Sequence, residues 1–243
     1  MPGSYCKTLY LPRVCQGFKM NAFIVSDLHL GSRYFYYHEF ERFLKSIPQD
    51  YELILNGDII DNPKAQLAPP HQSILHLIKR LSCRQRVVWV QGNHDKGFVT
   101  NGFGKVNFKS VYSIGNRLLI IHGYDFDEIM PRNQGFLKAF RLMHNLRVKL
   151  GARPVHVAEY AKKWKILYKV LRKNVMMNAV NCALENGFQT VVCGHTHYPE
   201  DRVYNGVRYI NTGAWTEFPA FYLQVNGSAM SLKSIDTPLD AHH

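Results

Sequence analysis

Five short apolar segments of this sequence are each followed closely by side chains that can bind a metal ion. The apolar segments are residues 22–25, 52–55, 87–90, 118–121 and 190–193. The polar side chains that follow them are Asp27, His29, Asp58, Asn93, His122, His195 and His197. Carboxylate, amide and imidazole ligands suit Mn²⁺, Fe or Zn²⁺, and the set has none of the thiolates of a structural zinc site. The pattern therefore predicts a metal centre with a chemical role.

The spacing of these residues favours a shared site. Asp27 and His29 are two residues apart, so in extended chain both side chains point the same way, and His195 and His197 repeat that arrangement. The apolar segments are short and most are rich in β-branched residues, as is typical of buried strands. Apolar residues recur at helical spacing between them, over residues 38–47 and 73–81. Strands that alternate with helices predict an α/β fold, whose strand ends form one binding edge.

The two ends of the chain have different patterns. From Arg202 onward, short β-type segments are separated by Asn205-Gly206 and Asn226-Gly227, which predict hairpin turns. Residues 1–19 have no clear periodicity and are predicted to be an N-terminal extension. We therefore expect one domain over residues 20–238 that ends in antiparallel strands.

Composition and length exclude several classes of protein. A hydrophobic content of 46% in 243 residues excludes a disordered chain. The five scattered Cys lack the spacing of a disulfide framework and fit a reducing compartment. No apolar run approaches the roughly 20 residues of a membrane span. The expected location is therefore the cytoplasm.

The positive charge is concentrated in one segment. The chain has 30 Lys and Arg against 18 Asp and Glu, a net charge of +12. Twelve of the basic residues lie between Arg132 and Lys173, where only Glu159 opposes them, so this segment alone carries +11. A local excess of this size indicates an anionic partner.

The basic segment also has the pattern of two amphipathic helices. The apolar face of the first holds Phe136, Ala139, Phe140, Met143, Leu146 and Leu150, and that of the second holds Val157, Tyr160, Ala161, Trp164, Leu167, Tyr168 and Leu171. Gly151 and Pro154 mark the turn, so a helical hairpin is predicted at about residues 133–186, here called the lid. The candidates for binding substrate phosphates are Arg141, Lys162, Lys163, Lys165 and Lys169.

Three interpretations of the lid remain open. In the first, the lid covers the site and its charges are solvated. In the second, it contacts an anionic amphiphile at a membrane surface. In the third, it contacts the phosphates of a nucleic acid. Basic amphipathic helices lie on anionic lipid, and each Lys or Arg near the surface adds about 1 kcal/mol. The interleaved aromatic residues favour lipid over nucleic acid.

Taken in order, the metal-binding motifs resemble a known signature. Asp27-x-His29, Gly57-Asp58, Gly92-Asn93-His94-Asp95, His122 and Gly194-His195-x-His197 are similar to the complete signature of the calcineurin-like metallophosphoesterases. The resemblance covers residues 21–215 and implies a four-layer α/β/β/α sandwich with two divalent metal ions, Mn²⁺ first and Fe or Zn²⁺ as alternatives. It implies one ion on Asp27, His29 and His197, another on Asn93, His122 and His195, and Asp58 as the bridge.

The resemblance also implies roles for two residues that are not ligands. His94 resembles the family histidine that stabilises the transition state or protonates the leaving oxygen. Asp95 has two interpretations: it orients His94 by accepting its second N–H, or it is an ordinary loop cap.

Within the family, two motifs are most similar to the UDP-2,3-diacylglucosamine hydrolases. These are residues 26–31, and residues 194–197 together with 210–213. That subgroup cleaves a pyrophosphate in lipid A synthesis, releases UMP and carries a helical insertion where the lid lies. It has Arg in the position of His94, which leaves the substrate open.

The predicted function is a dinuclear-metal hydrolase of UDP-2,3-diacylglucosamine or a related nucleotide-linked glycolipid, peripheral at the inner membrane. The alternative is a phosphodiesterase or nuclease that acts on a small nucleotide or a nucleic acid. A non-catalytic scaffold would lack ligands, whereas all seven positions are filled here.

Overall fold

A computed structural model describes residues 20–98 and 101–235. At Gln134, Phe136, Leu137 and Arg141 the description covers the backbone alone. The predicted extension over residues 1–19 and the last residues of the predicted domain lie outside the described residues.

The described chain forms eleven strands and six α-helices. The strands are β1 (Asn21–Val25), β2 (Tyr51–Asn56), β3 (Val87–Val90), β4 (Asn107–Lys109), β5 (Tyr112–Ile114), β6 (Leu118–Ile120), β7 (Thr190–Cys193), β8 (Glu200–Tyr204), β9 (Val207–Asn211), β10 (Ala220–Asn226) and β11 (Ala229–Ile235). The helices are α1 (Tyr37–Ser46), α2 (Pro69–Leu81), α3 (Ile129–Arg132), α4 (Gln134–Lys149), α5 (Val157–Ala161) and α6 (Lys165–Glu185). A 3-10 turn over Tyr124–Phe126 precedes α3.

The strands form two mixed sheets. The first sheet has the order β11-β10-β1-β2-β3-β4, in which β1 to β4 are parallel and β10 and β11 antiparallel. The second sheet has the order β5-β6-β7-β9-β8, with a parallel centre of β6, β7 and β9. Each sheet therefore places several parallel strand ends at one edge.

Alternation along the central strands explains how the layers pack, because successive side chains of a strand point to opposite faces. Phe23 and Val25 pack in the core beneath α1 and α2, whereas Ile24 packs in the core between the sheets. In the second sheet Leu119 packs towards α6 and Ile120 towards the first sheet. The layers are thus helix, sheet, sheet and helix, and the predicted α/β/β/α fold is confirmed.

The C-terminal half of α6 forms one of these layers. Val175, Ala179, Val180 and Ala183 are fully buried against the second sheet. The predicted lid at about residues 133–186 therefore includes a helix that also builds the core.

The lid itself is not the simple hairpin that the pattern predicts. The second helix was predicted as continuous through Leu171, but it is interrupted over residues 162–164 between α5 and α6. The backbone N–H groups of Lys163 and Trp164 donate to Tyr160 and Ala161, three residues back, so the last turn tightens and the helix stops. The interruption places Lys162 against Glu217.

The antiparallel tail follows the predicted turns closely. Asn205 and Gly206 connect β8 and β9 with φ of 48° and 81°, the left-handed conformation that a two-residue hairpin turn needs. Asn226 pairs with Ala229, so the next turn is Gly227-Ser228, one residue later than predicted. None of the helices in the described part of the chain has an apolar stretch sufficient to cross a bilayer.

Candidate metal centre

The loops after β1, β2, β6 and β7 bring six of the seven predicted ligands into two groups. The ligand atoms of Asp27, His29 and His197 lie within 4.8 Å of one another. Those of Asp58, His122 and His195 meet the same limit. Both sheets contribute, since the loops after β1 and β2 leave one sheet and those after β6 and β7 leave the other.

The backbone of this region is strained where the ligands lie. Five of the seven predicted ligands have positive φ although none is glycine: Asp27 at 54°, His29 at 51°, Asp58 at 52°, His195 at 66° and His197 at 54°. Non-glycine residues in this conformation cost about 1–3 kcal/mol each and cluster at functional sites. The strain identifies this edge as the functional one.

Two glycines allow the loops to approach each other. A Cβ on Gly92 would overlap the backbone nitrogen and carboxylate of Asp58. A Cβ on Gly194 would overlap the Asp27 carboxylate and the Ser26 hydroxyl. Only glycine permits this proximity, so the motif glycines are needed for close packing of the ligand loops.

The first group directs two imidazoles and a carboxylate to one point. His29 Nε2 and His197 Nε2 are 3.2 Å apart, and His197 Nε2 is 3.3 Å from Asp27 Oδ1. All three side chains are buried. His29 is oriented from behind, because its Nδ1 is 3.0 Å from Asp61 Oδ1. Such a buried convergence of ligand atoms fits a divalent cation.

The second group contains a buried imidazole beside a carboxylate, and an unpaired amide oxygen lies in the loop after β3. His122 Nδ1 donates to Asn56 O at 2.8 Å, and its Nε2 is 3.2 Å from Asp58 Oδ2. Asn93 Oδ1 is buried without a hydrogen-bond partner among the described residues. An unsatisfied buried acceptor is costly, and a cation that replaced the His122 proton would satisfy it, so the residues present fit a metal ion.

The electrostatics of the site point the same way. Burial opposes a charge on His122, but Asp58 and Asp27 outweigh it and raise the His122 pKa to about 10. Burial likewise opposes the Asp58 carboxylate, and His122 and His29 still hold the Asp58 pKa well below its usual range. Without a cation the site is negative enough to keep a proton on a buried imidazole.

His195 is oriented by a carboxylate from the loop after His122. Its Nε2 is 3.0 Å from Asp127 Oδ2. Asp127 Oδ1 accepts from the backbone N–H groups of Ile129 and Met130, which fixes the carboxylate. Asp127 follows His122 by five residues, and the sequence pattern did not connect it with His195.

His94 lies at the rim and is anchored by its neighbours. Its Nδ1 donates to Asp61 O at 2.8 Å, and its backbone N–H donates to Asp58 Oδ1 at 2.8 Å. The side chain is 39% exposed and belongs to neither ligand group. This position leaves Nε2 available to a bound substrate.

The interpretation that Asp95 orients His94 is wrong. Asp95 is buried, and its carboxylate accepts from the backbone of Ile59, Ile60 and Gly92 and from the indole of Trp89. The second N–H of His94 goes to the Asp61 carbonyl instead. The second interpretation, an ordinary loop cap, therefore holds: Asp95 joins the loops after β2 and β3.

Besides Asp127, sequence reasoning missed two residues of the site. Asp61 follows Asp58 by three residues in the same loop, so the loop sequence offered a signal for it. His156 comes from the lid, where no local pattern marks it, and its ring stacks on His197 with centroids 5.3 Å apart. Burial first, then the imidazoles of His197 and His29, lower the His156 pKa to about 2.

The lid is attached to the loop that carries His195 and His197. Lys162 Nζ donates to His197 O and to Glu217 Oε2, both at 2.6 Å. The hydroxyl of Tyr168 donates to Thr196 O. Arg172 pairs with Glu200 at 2.8 Å. The lid therefore has a fixed position relative to the metal centre.

These contacts correct one prediction about substrate binding. Lys162 is half-buried and paired with protein groups, so it holds the lid in place rather than facing a substrate. Lys163, Lys165 and Lys169 are exposed. The side chain of Arg141 lies outside the described residues.

Comparison with known proteins places the chain in a family. The family model for calcineurin-like phosphoesterase matches residues 20–199. A relative from Bacillus subtilis, the uncharacterized metallophosphoesterase YkuE, is 31% identical over 120 residues, which is 49% of this chain and 39% of that protein. The DNA polymerase II small subunit of Methanothermobacter thermautotrophicus is 23% identical over 245 residues, 82% of this chain and 48% of that protein. The chain thus spans less than half the length of these curated relatives.

Solved structures to which this chain is similar include the phosphoesterase Yfce from E. coli and a single mutant of Vps29 from Entamoeba histolytica. The alignment with Yfce has a TM-score of 0.47 and a sequence identity of 17%, and it covers 87% of this chain and 91% of the Yfce chain. The alignment with Vps29 has a TM-score of 0.46 and a sequence identity of 15%, and it covers 90% of this chain and 99% of the Vps29 chain. Since the family model matches most of the chain, this protein belongs to the calcineurin-like phosphoesterases, a family of metal-dependent phosphoester hydrolases.

Proposed function

We propose that this chain is a dinuclear-metal hydrolase of phosphoesters or pyrophosphates. One observation carries the proposal: the ligand atoms of two groups of side chains each converge within 4.8 Å, and the buried Asn93 Oδ1 has no hydrogen-bond partner among the described residues. A single tetrahedral ion would use about four ligands, fewer than the seven available.

In this proposal Asp27, His29 and His197 would hold one ion, Asn93, His122 and His195 would hold the other, and Asp58 would contact both. Mn²⁺ is the proposed metal, with Fe or Zn²⁺ as alternatives. When bound, two divalent cations lower the pKa of a water and neutralise charge on the phosphoryl oxygens. Asp61 and Asp127 orient the imidazoles of His29 and His195 from behind.

His94 supplies the proton chemistry in this proposal. Its Nδ1 is held on the Asp61 carbonyl, and its partly exposed ring leaves Nε2 for the oxygen that leaves the phosphorus. A positioned proton donor of this kind contributes roughly 10²–10⁴-fold to a rate. Substrate enters from the exposed side of the His94 ring.

The proposed substrate is an anionic amphiphile, UDP-2,3-diacylglucosamine or a related nucleotide-linked glycolipid, cleaved at its pyrophosphate to release UMP. The lid supports this choice, because apolar side chains remain exposed on it: Leu142 at 71%, Leu146 at 55%, Leu150 at 79%, Ile166 at 84% and Val170 at 52%. A lid that only covered the cleft would bury its apolar faces.

The lid is also the proposed contact with an anionic membrane surface. Exposed apolar side chains on α4 and α6 are interspersed with the basic residues of the segment that carries +11. Apolar burial and attraction to anionic headgroups together bind amphipathic helices to membranes. A peripheral position at the inner membrane surface follows from this proposal.

A substrate panel tests the function. The protein is freed of metal by chelation, reloaded with Mn²⁺ and assayed on UDP-2,3-diacylglucosamine, bis-p-nitrophenyl phosphate, cyclic nucleotides and single-stranded DNA, with Asp58→Asn as the inactive control. Fastest turnover of the glycolipid supports the full proposal. Preference for cyclic nucleotides or DNA identifies the alternative phosphodiesterase or nuclease, and inactivity on all four substrates contradicts hydrolysis.

A further inference from the structure

The lid places the imidazole of His156 at the metal centre. His156 is neither one of the predicted ligands nor the predicted proton donor, His94. The ring of His156 stacks on that of His197, with centroids 5.3 Å apart and planes inclined by 14°. Its centroid is 5.4 Å from that of His29, and one of its ring nitrogens lies within 4.8 Å of an Asp61 carboxylate oxygen. His156 therefore lies beside any phosphoryl group bound at the first metal position.

The hydrogen bonding of His156 shows which nitrogen carries the proton. Its Nδ1 accepts from the backbone N–H of Ala158 at 3.3 Å, as the N-cap of α5. A nitrogen that accepts from an N–H has no proton of its own, so the ring proton is on Nε2. Nε2 has no hydrogen-bond partner in the part of the chain that the structure describes. His156 is thus a donor whose proton the protein does not use.

The lid holds this donor in place. Lys162 and Tyr168, which follow His156 in the chain, both donate to backbone carbonyls of residues 196–197 in the ligand loop. His156 is separated from Lys162 by a single short helix. A donor that is already positioned stabilises charge in a transition state without the cost of reorganisation.

We propose that His156 is a catalytic residue that donates a hydrogen bond from Nε2 to a non-bridging oxygen of the substrate phosphoryl group. The proposal rests on the proposed phosphoesterase function. Charge on these oxygens must be stabilised while the phosphoryl group is transferred, and a donor fixed by the lid does this. His29 Nδ1 and Asp61 Oδ1 are already hydrogen-bonded to each other at 3.0 Å, so we do not assign His156 as a ligand of a third metal site with them.

His94 and His156 have different tasks at the two sides of His29. Their ring centroids are 4.9 Å and 5.4 Å from that of His29. His94 donates from Nδ1 to the Asp61 carbonyl, whereas His156 accepts at Nδ1 and keeps its proton on Nε2. His94 therefore gives a proton to the leaving oxygen from Nε2 of its doubly protonated ring, whereas His156 keeps its proton and only donates a hydrogen bond.

Two amide substitutions separate this role from helix capping. In His156→Asn the amide oxygen replaces Nδ1 and keeps the cap of α5, but the donor at Nε2 is lost. In His156→Gln the amide nitrogen replaces Nε2 and keeps the donor, but the cap is lost. We expect His156→Asn to lower kcat on bis-p-nitrophenyl phosphate by roughly 10²-fold, the range for removing one oxyanion donor. His156→Gln should recover most of this loss.

A binding measurement accompanies the kinetics. We expect His156→Asn, loaded with Mn²⁺, to bind inorganic phosphate more weakly than wild type in calorimetry, and His156→Gln to bind it as wild type does, with equal metal content in all three. If His156→Asn keeps the wild-type kcat and phosphate affinity, His156 only caps α5 and the proposal is refuted. If His156→Asn loses metal, His156 is a metal ligand and the proposal is also refuted.

The same data distinguish the two proposals. If wild type hydrolyses nothing but the phosphate affinities follow the expected order, the proposed function fails and the His156 contact stands as a binding contact only, which overturns its catalytic role. If wild type turns over substrate and both variants match it, His156 alone is refuted.

Discussion

At the scale of single residues, Asp58 lies where the two ligand groups adjoin. Its Oδ2 is 3.2 Å from His122 Nε2 and its Oδ1 accepts the backbone N–H of His94. We expect Asp58→Asn to lose at least one of two ions, because an amide is a weaker ligand than a carboxylate and cannot bridge cations. Elemental analysis checks this, with His94→Asn as the control that keeps both ions. Two retained ions in Asp58→Asn would contradict the bridge.

His94 is predicted to act in proton transfer and not in metal retention. In His94→Asn the amide can still donate to the Asp61 carbonyl, but the nitrogen at the Nε2 position is absent. The kcat should fall by roughly 10²–10⁴-fold on bis-p-nitrophenyl phosphate. Steady-state kinetics with matched metal analysis measure it. An unchanged kcat, or release of an ion, would refute the assignment.

How much of the site the sequence could predict depends on how local each signal is. The seven ligands each follow a strand at once, so strand and ligand could be recognised in one segment. Asp61 could be noticed because it lies in the Asp58 loop, but its contact with His29 spans 32 residues of the chain. No local pattern marks His156, which stacks on the distant His197. The resemblance left two interpretations of Asp95 open, and the choice depends on the fold, which directs its buried carboxylate to the loops after β2 and β3.

At the scale of elements, the central strands and the first two helices could be predicted because their apolar periodicity is strong. The edge strands β4 and β5 are three residues each and only partly buried, so they leave no such pattern. The break between α5 and α6 depends on contacts from Lys162 to residues outside the lid, and helical periodicity alone runs through it.

The exposed lysines of the lid are predicted to act in binding anionic lipid. The triple variant Lys163→Glu, Lys165→Glu and Lys169→Glu should weaken binding to vesicles containing anionic lipid by at least about 10²-fold, since each Lys near such a surface contributes about 1 kcal/mol. Its KM for a vesicle-bound glycolipid should rise and depend less on salt. Co-sedimentation with vesicles at two ionic strengths, together with kinetics, measures both effects.

A second lid variant provides the control. Lys162→Met removes the bonds to His197 O and Glu217, so it should slow bis-p-nitrophenyl phosphate and glycolipid hydrolysis alike. The triple variant should leave the small substrate unaffected. If both variants impair both substrates equally, the lid charge has only a structural role. If the triple variant changes neither vesicle binding nor the KM for the glycolipid, these lysines are only solvated.

At the scale of the whole molecule, the site is where the two sheets are joined by polar contacts. Asn56, buried at the end of β2, donates to Ile121 O and Val192 O of the second sheet at 3.4 Å and 3.3 Å. The Ser26 and Thr212 hydroxyls meet at 2.7 Å in the same region. Because predicted ligands come from both sheets, a bound metal would add a further link between them.

This geometry predicts that metal stabilises the entire fold. A ligand at about 1,000 times its Kd adds roughly 4 kcal/mol to the free energy of unfolding, which is about 10 °C in Tm for a chain of this size. We therefore expect Mn²⁺ to raise Tm by about that amount in calorimetry. Asp58→Asn should gain much less, and His94→Asn should gain as much as wild type.

The increase in Tm caused by Mn²⁺ should grow as the pH rises. The metal must displace the proton from His122, whose pKa is raised to about 10, so a proton competes with the ion throughout the neutral range. Raising the pH removes that competition, by up to about 1.4 kcal/mol per pH unit for one proton. The gain in Tm from Mn²⁺ should therefore be larger at pH 8.5 than at pH 6.5 in wild type and in His94→Asn. A gain that is the same at both pH values would mean that no imidazole proton is released, and His122 would then not be a ligand.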